Sequence, residues 1–143
     1  MESPEERAIR HFNSGYNCAE SVVKAVAEIA GTVVEDPQRL ATAFGGGIAR
    51  QGYVCGCLSG AAIALGLLAG RTAPDDVAGK DRVYTATTRL FEKFKVQAGA
   101  VECRDISGLK FDHPTHVNIC CPLVGLATRL VCDEIGLVRD SKP

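Results

Sequence analysis

No run of basic residues occurs in this chain: 16 lysines and arginines are set against 17 aspartates and glutamates, a formal net charge of -1 over 143 residues. That balance gives no electrostatic footprint for nucleic acid or an anionic membrane surface, and both partner classes are set aside. No apolar stretch is long enough for a bilayer. The longest, Leu58 to Gly70, is about 13 residues and broken by glycine, where a spanning helix needs about 20, so a buried helix is expected there. The N-terminal MESPEERAIRHF carries charges where a signal peptide needs an apolar core of about 7–15 residues. No segment alternates as a strand does, and there is no internal repeat, low-complexity tract or sign of a second domain. Cysteine is frequent without being dense: the seven residues make about 5% of the chain, under the roughly 8–10% of a secreted disulfide scaffold. At this length folding buries roughly two thirds of the surface, so a core without disulfides is feasible. The chain reads as one domain over residues 1–143 in a reduced, cytoplasmic setting.

What is present is a series of helix signals. Ser3-Pro4-Glu5-Glu6 has the order of a capping box. In NCAESVVKAVAEIA, Cys18, Val22, Ala25, Val26 and Ile29 recur at spacings of three and four, Asn17 can cap, and Gly31 follows the end. Cys18 then falls in the first turn. Asp36-Pro37 predicts a cap and first position for a short helix through Leu40, Ala41 and Phe44, stopped by Gly45-Gly46-Gly47. FGGGIARQGYVCG is the one glycine-rich loop, and it runs into CGCLSGAAIALGLLAG, an apolar central helix with small residues for close packing. A helix over about 75–98 presents Val83, Leu90, Phe91 and Phe94 on one face, ECRDIS reads as a turn and GLKFDHPTH as a loop. The last helix is expected to begin near Pro122 and stop at Gly136. The fold class is all-α, a single-domain bundle of about five or six helices.

These boundaries put Cys18, Cys55 and Cys121 each near a helix N-terminus, where unpaired N–H groups and the macrodipole favour thiolate. Thiolate is both nucleophile and metal ligand. Cys103 adjoins Arg104, a further cation. Against this stands the ordinary fate of a free cysteine as a small buried hydrophobe, which suits mid-helix Cys132 best. Cys55-Gly56-Cys57 and the adjacent Cys120-Cys121 add local dithiol pairs, although a bridge between neighbours is strained.

YNCAESVV, FGGGIARQGYVCGCLSGAAIALGLL, VECRDISG and CPLVGLATRLV, in this order, resemble the C_GCAxxG_C_C family of redox-active proteins. By position the family's cysteines fall on Cys18, Cys55, Cys103 and Cys121. Cys57 stands where the family has alanine, and the spacing to Gly60 aligns Cys55 with the family's cysteine. The resemblance implies redox activity. Four thiolates add the expectation of an iron–sulfur cluster, with structural zinc as the alternative, ligated by Cys18, Cys55, Cys103 and Cys121 and flanked by Cys57 and Cys120 as further cofactor-binding candidates. Intervals of 37, 48 and 18 positions match no ferredoxin spacing, so distant elements would have to bring the four together. No Cys-x-x-Cys-His for covalent haem is present.

Other constellations are less specific. His113 and His116 with Cys120 and Cys121 are loosely spaced for zinc, and His116 beside Cys121 invites a cysteine–histidine hydrolase without an identifiable oxyanion donor. The triple glycine lacks the Gly-Lys-Ser/Thr ending of a phosphate loop, and close backbone approach to the cysteine site accounts for it equally. Arg50, Gln51 and Tyr53 lie in that loop, at the mouth of the site or in solvent. The expected function is electron or disulfide transfer by clustered cysteines with a redox partner; a zinc-stabilised interaction module, with the central helix serving packing or a homodimer, is the alternative. The expectation to compare with the structure is convergence of Cys18, Cys55, Cys103 and Cys121 across up to 103 positions.

Overall fold

Ser3 and Asn17 each accept a hydrogen bond from the backbone N–H three residues on, while Glu6 and Glu20 reach back to the cap N–H groups, so both capping boxes form. They open α1 (Pro4–Asn13) and α2 (Cys18–Ala30), and α2 ends on Gly31 in the left-handed conformation. The computed structural model describes residues 1–140. Among these follow a 3₁₀ helix (Pro37–Phe44), α3 (Gly56–Ala69), α4 (Val77–Ala98), α5 (Cys103–Ser107) and α6 (Pro114–Asp140). The architecture is an all-α bundle. Three features differ from expectation: Asp36 takes a left-handed backbone and gives no capping bond, ECRDIS closes into α5, and α6 starts at Pro114 and passes through both Pro122 and Gly136. Proline inside a helix loses one N–H bond and crowds the carbonyl four residues back. Here Pro122 and Asn118 are both exposed, so water can serve the Asn118 carbonyl.

The elements α2, α3 and α6 pack on one another, with α1 against α2 and α6, and α4 against α3 and α6. Val22, Val26, Leu58, Leu65, Leu90, Phe94, Val124 and Val131 fill the space between them with almost no exposure. Each large side chain so buried contributes about 1.5–3 kcal/mol. Buried Glu134 on α6 receives Arg89 from α4 at 2.8 Å, which fixes the register of that pair. The closest approach is between α2 and α3: a Cβ at Gly60 would stand 2.7 Å from the Ala19 carbonyl oxygen. Nothing lies within 4 Å of a Cβ at exposed Gly66 on the same helix.

Substituting Gly60→Ala should therefore lower stability by about 1–3 kcal/mol through overpacking, whereas Gly66→Ala should raise it by about 0.5–1 kcal/mol through helix propensity. Urea denaturation of the two variants checks the pair; equal midpoints would contradict the close α2–α3 approach.

Candidate functional site

The glycine-rich loop makes an unusual local structure. Gly46, Gly47, Ile48, Ala49 and Arg50 have φ of 66°, 69°, 66°, 47° and 64°, one turn of left-handed backbone. Each of its three non-glycine residues costs of the order of 1–2 kcal/mol in that conformation. The turn is closed by its own hydrogen bonds: the N–H of Arg50 donates to the Gly45 carbonyl (3.1 Å), that of Gly52 to Gly46 (3.1 Å) and that of Tyr53 to Gly47 (3.0 Å). Its glycines are needed for contact as well as conformation. A Cβ on Gly47 would meet the Cβ of Cys103 at 2.7 Å, and one on Gly56 would meet the Cys18 sulfur.

Chain after the turn pairs with the segment that enters α5. Val54 and Glu102 form an antiparallel bridge, the Cys55 N–H donates to the Val101 carbonyl (2.8 Å) and the Cys103 N–H to the Tyr53 carbonyl (2.6 Å). This two-residue bridge sets Cys55, the residue before α3, beside Cys103, the first residue of α5. Cys18 meets Cys57 across the α2–α3 contact, and Cys57 also adjoins Cys55.

The Cys57 thiol, as hydrogen-bond donor, is the main reason the Cys18 pKa is lowered from 9.0 to about 7. Burial opposes it, and the backbone N–H groups of Gly46, Ala19 and Cys18 add to it. The same pairing with Cys18 and Cys55, together with complete burial, pushes Cys57 well above the ordinary thiol range. Burial raises Cys103 against a hydrogen bond with Ser107 (3.4 Å), with negative charge on Cys55 and Cys18 adding to the rise. Cys120 is pushed up to about 12 by burial and then by charge on Cys18, Cys55, Cys103 and Cys121. Clustered thiols cannot all ionise.

The structure thus draws Cys18, Cys55, Cys57, Cys103 and Cys120 into one electrostatically linked group. Cys121 is not at a helix start, because α6 begins at Pro114, and burial raises its pKa. Burial acts on both members of the adjacent pair, and on Cys120 the charges on Cys18, Cys55, Cys103 and Cys121 act as well. Cys132 lies apart against Val26, Leu68 and Ile135, again raised by burial. The mixed zinc set does not assemble: His113 Nδ1 accepts from the Thr115 N–H at 3.2 Å, at the start of α6. His116 Nε2 lies 3.5 Å from Cys120 Sγ, the thiol pushed up to about 12, which disfavours a hydrolase nucleophile there. Among the described residues no group of three or more His, Cys, Asp or Glu is placed to hold a metal ion.

A cavity of about 370 Å³ opens over Cys18, lined among others by Asn17, Gly46, Arg50, Phe111 and His116. Arg50 lies over the Phe111 ring (5.9 Å), and burial followed by Arg50 lowers the His116 pKa, favouring the neutral imidazole. Position in the glycine loop marked Arg50; no sequence signal marked Phe111, whose contact arises only when α6 packs under that loop.

A left-handed turn over cysteines at the heads of α2 and α3 defines a helical protein with a buried thiol site. The chain belongs to the family described as "Putative redox-active protein (C_GCAxxG_C_C)", matched over residues 16–134. It is also 29% identical over 113 residues to an uncharacterized protein of Archaeoglobus fulgidus, covering 74% of this chain and 75% of that one. No solved structure matches. No helix among the described residues is long and apolar enough to cross a membrane.

Alkylation of reduced, metal-free protein over a pH series should show Cys18 reacting with a midpoint near about 7 and Cys57 protected. Because the folded protein holds the Cys18 proton less tightly than the unfolded chain, this group's stabilisation is complete above pH 9 and is lost as pH falls through about 7. Peptide mapping that finds Cys18 no more reactive than Cys121 at pH 7 would contradict the assignment.

Proposed function

We propose that this is a thiol-based redox protein whose working couple is Cys18 and Cys57, cycling between dithiol and disulfide in a reducing, cytoplasmic setting. The observation that carries this reading is the Cys18–Cys57 pair itself: a thiolate favoured near neutral pH, facing a cavity, with its hydrogen-bond donor a second thiol. A nucleophilic thiol works best when its pKa lies near the ambient pH, where much of it is ionised without losing nucleophilicity. Cys57, buried and protonated, is unreactive toward solvent yet adjoins the sulfur it would have to attack. Cys55 and Cys103 extend the sulfur cluster behind the couple, and family membership supports redox activity in general. A redox partner that donates electrons returns the disulfide to the dithiol.

A second reading is favoured by the five linked sulfurs, soft donors that suit an iron–sulfur cluster or, in a non-catalytic interaction module, structural zinc. The donor chemistry fits, but the sulfurs are not arranged about a common point, so no step here runs through a metal.

Treatment of reduced protein with 2-hydroxyethyl disulfide should give a Cys18–Cys57 disulfide by peptide mapping. Cys57→Ser should instead accumulate a mixed disulfide on Cys18, and Cys18→Ser should abolish both products. Bridges formed among other cysteines would overturn the couple. Anaerobically purified protein should be colourless and without stoichiometric zinc; brown protein with sulfur-to-iron absorption bands would favour the cluster, and one zinc per chain the interaction module.

A further inference from the structure

We propose that the cavity over Cys18 seats a low-molecular-weight disulfide bearing a carboxylate, with Arg50 holding that carboxylate while Cys18 attacks the sulfur. The inference rests on the Cys18–Cys57 reading and adds its substrate class.

Size, charge and access all bear on the choice. About 370 Å³ falls at the small end of ligand sites, which run roughly 300–1,000 Å³, and suits a small molecule rather than a folded partner's surface. Arg50 is the cationic side chain in the lining, and no ion pair engages it among the described residues. The neighbouring carboxylate, Glu20, is occupied elsewhere: it accepts the Asn17 N–H and the Thr42 hydroxyl, both at 2.9 Å. The cavity therefore presents the positive charge of Arg50 to a ligand, with the Phe111 ring as an apolar wall. The left-handed backbone at Arg50 is what keeps it on this wall: its N–H closes the turn onto Gly45, while its side chain reaches over Phe111.

The chemistry balances without an added reagent for one turnover. The Cys18 thiolate attacks one sulfur of the bound disulfide, whose S–S bond breaks; a Cys18–substrate disulfide forms and the first half leaves as a thiolate that takes a proton from water. Cys57 then attacks the Cys18 sulfur, the mixed disulfide breaks, and the departing second half takes the Cys57 proton. The protein dithiol is oxidised by two electrons and the substrate is reduced to two thiols.

The test compares dithiodiglycolate, a dianion, with uncharged 2-hydroxyethyl disulfide on reduced protein. Each rate of Cys18–Cys57 disulfide formation is divided by that reagent's rate with free dithiothreitol, an uncharged dithiol, which removes intrinsic reactivity. The normalised rate should favour the dianion by about two- to fivefold, as expected for one cation–carboxylate pair at an exposed site. Arg50→Gln should bring the ratio close to one, and Arg50→Lys should retain part of it. Equal normalised rates in the unaltered protein, or a preference that survives Arg50→Gln, overturn the proposal while leaving the couple intact. If neither disulfide oxidises Cys18 to Cys57, the couple itself is wrong.

Discussion

The contact between the head of α2 and the head of α3 is the constraint on which the rest of the site depends. Two helices approach at backbone distance only where side chains are missing, and here Gly56 faces the Cys18 sulfur and Gly60 the Ala19 carbonyl. That approach gives Cys18 a thiol neighbour in Cys57, which is fully buried, while Cys18 keeps one side on the cavity. In such surroundings a single hydrogen bond decides which sulfur carries charge, because the low dielectric magnifies it. Larger residues at either glycine would part the helices and with them the couple.

The left-handed turn at 46–50 is the second requirement, and an energetically costly one. Ile48, Ala49 and Arg50 all occupy backbone that favours glycine, and Ile48 is β-branched. Three strained residues persist only where the surroundings hold them. The surroundings here are the hydrogen bonds that close the turn on itself, the bridge from residues 52–55 to 101–104, and Cys103 packed against Gly47. The result aims the Gly46 N–H at the Cys18 sulfur and Arg50 into the cavity above it. The Gly46 N–H from this turn joins those of Cys18 and Ala19 at the head of α2 in favouring the thiolate.

Gathering five cysteines gives unlike groups, although their side chains are identical. Like charges in one low-dielectric space raise one another's pKa, so favouring one thiolate makes its neighbours harder to ionise. Cys18 receives the donors; Cys57, Cys103 and Cys120 are pushed the other way. A dithiol couple uses this asymmetry directly, since attack requires a thiolate and protection of the resolving thiol requires that it stay protonated.

Much of the helical frame was legible from local signals. Ser3 and Asn17 announce α1 and α2 because a cap bonds N–H groups only three residues away, and the same proximity fixed Cys18 in the first turn of α2 and Cys55 immediately before α3. The buried, all-apolar character of α3 and the need for glycine beside the cysteines were readable in the same way. Where α6 begins was not: Pro122 is a stop signal by its own chemistry, and its tolerance depends on an exposed neighbour that the linear pattern does not reveal. That misplaced start put Cys121 at a helix head it does not occupy, and only packing along α6 reveals that Cys120 also feels the charges of the cluster. The meeting of Cys18 with Cys57, and of Cys55 with Cys103, was likewise decided only by tertiary structure. Caps and periodicity act over about one helical turn, about 3.6 residues, but these sulfurs are 39 and 48 positions apart, and only close packing of α2 on α3 and a two-residue bridge bring them together.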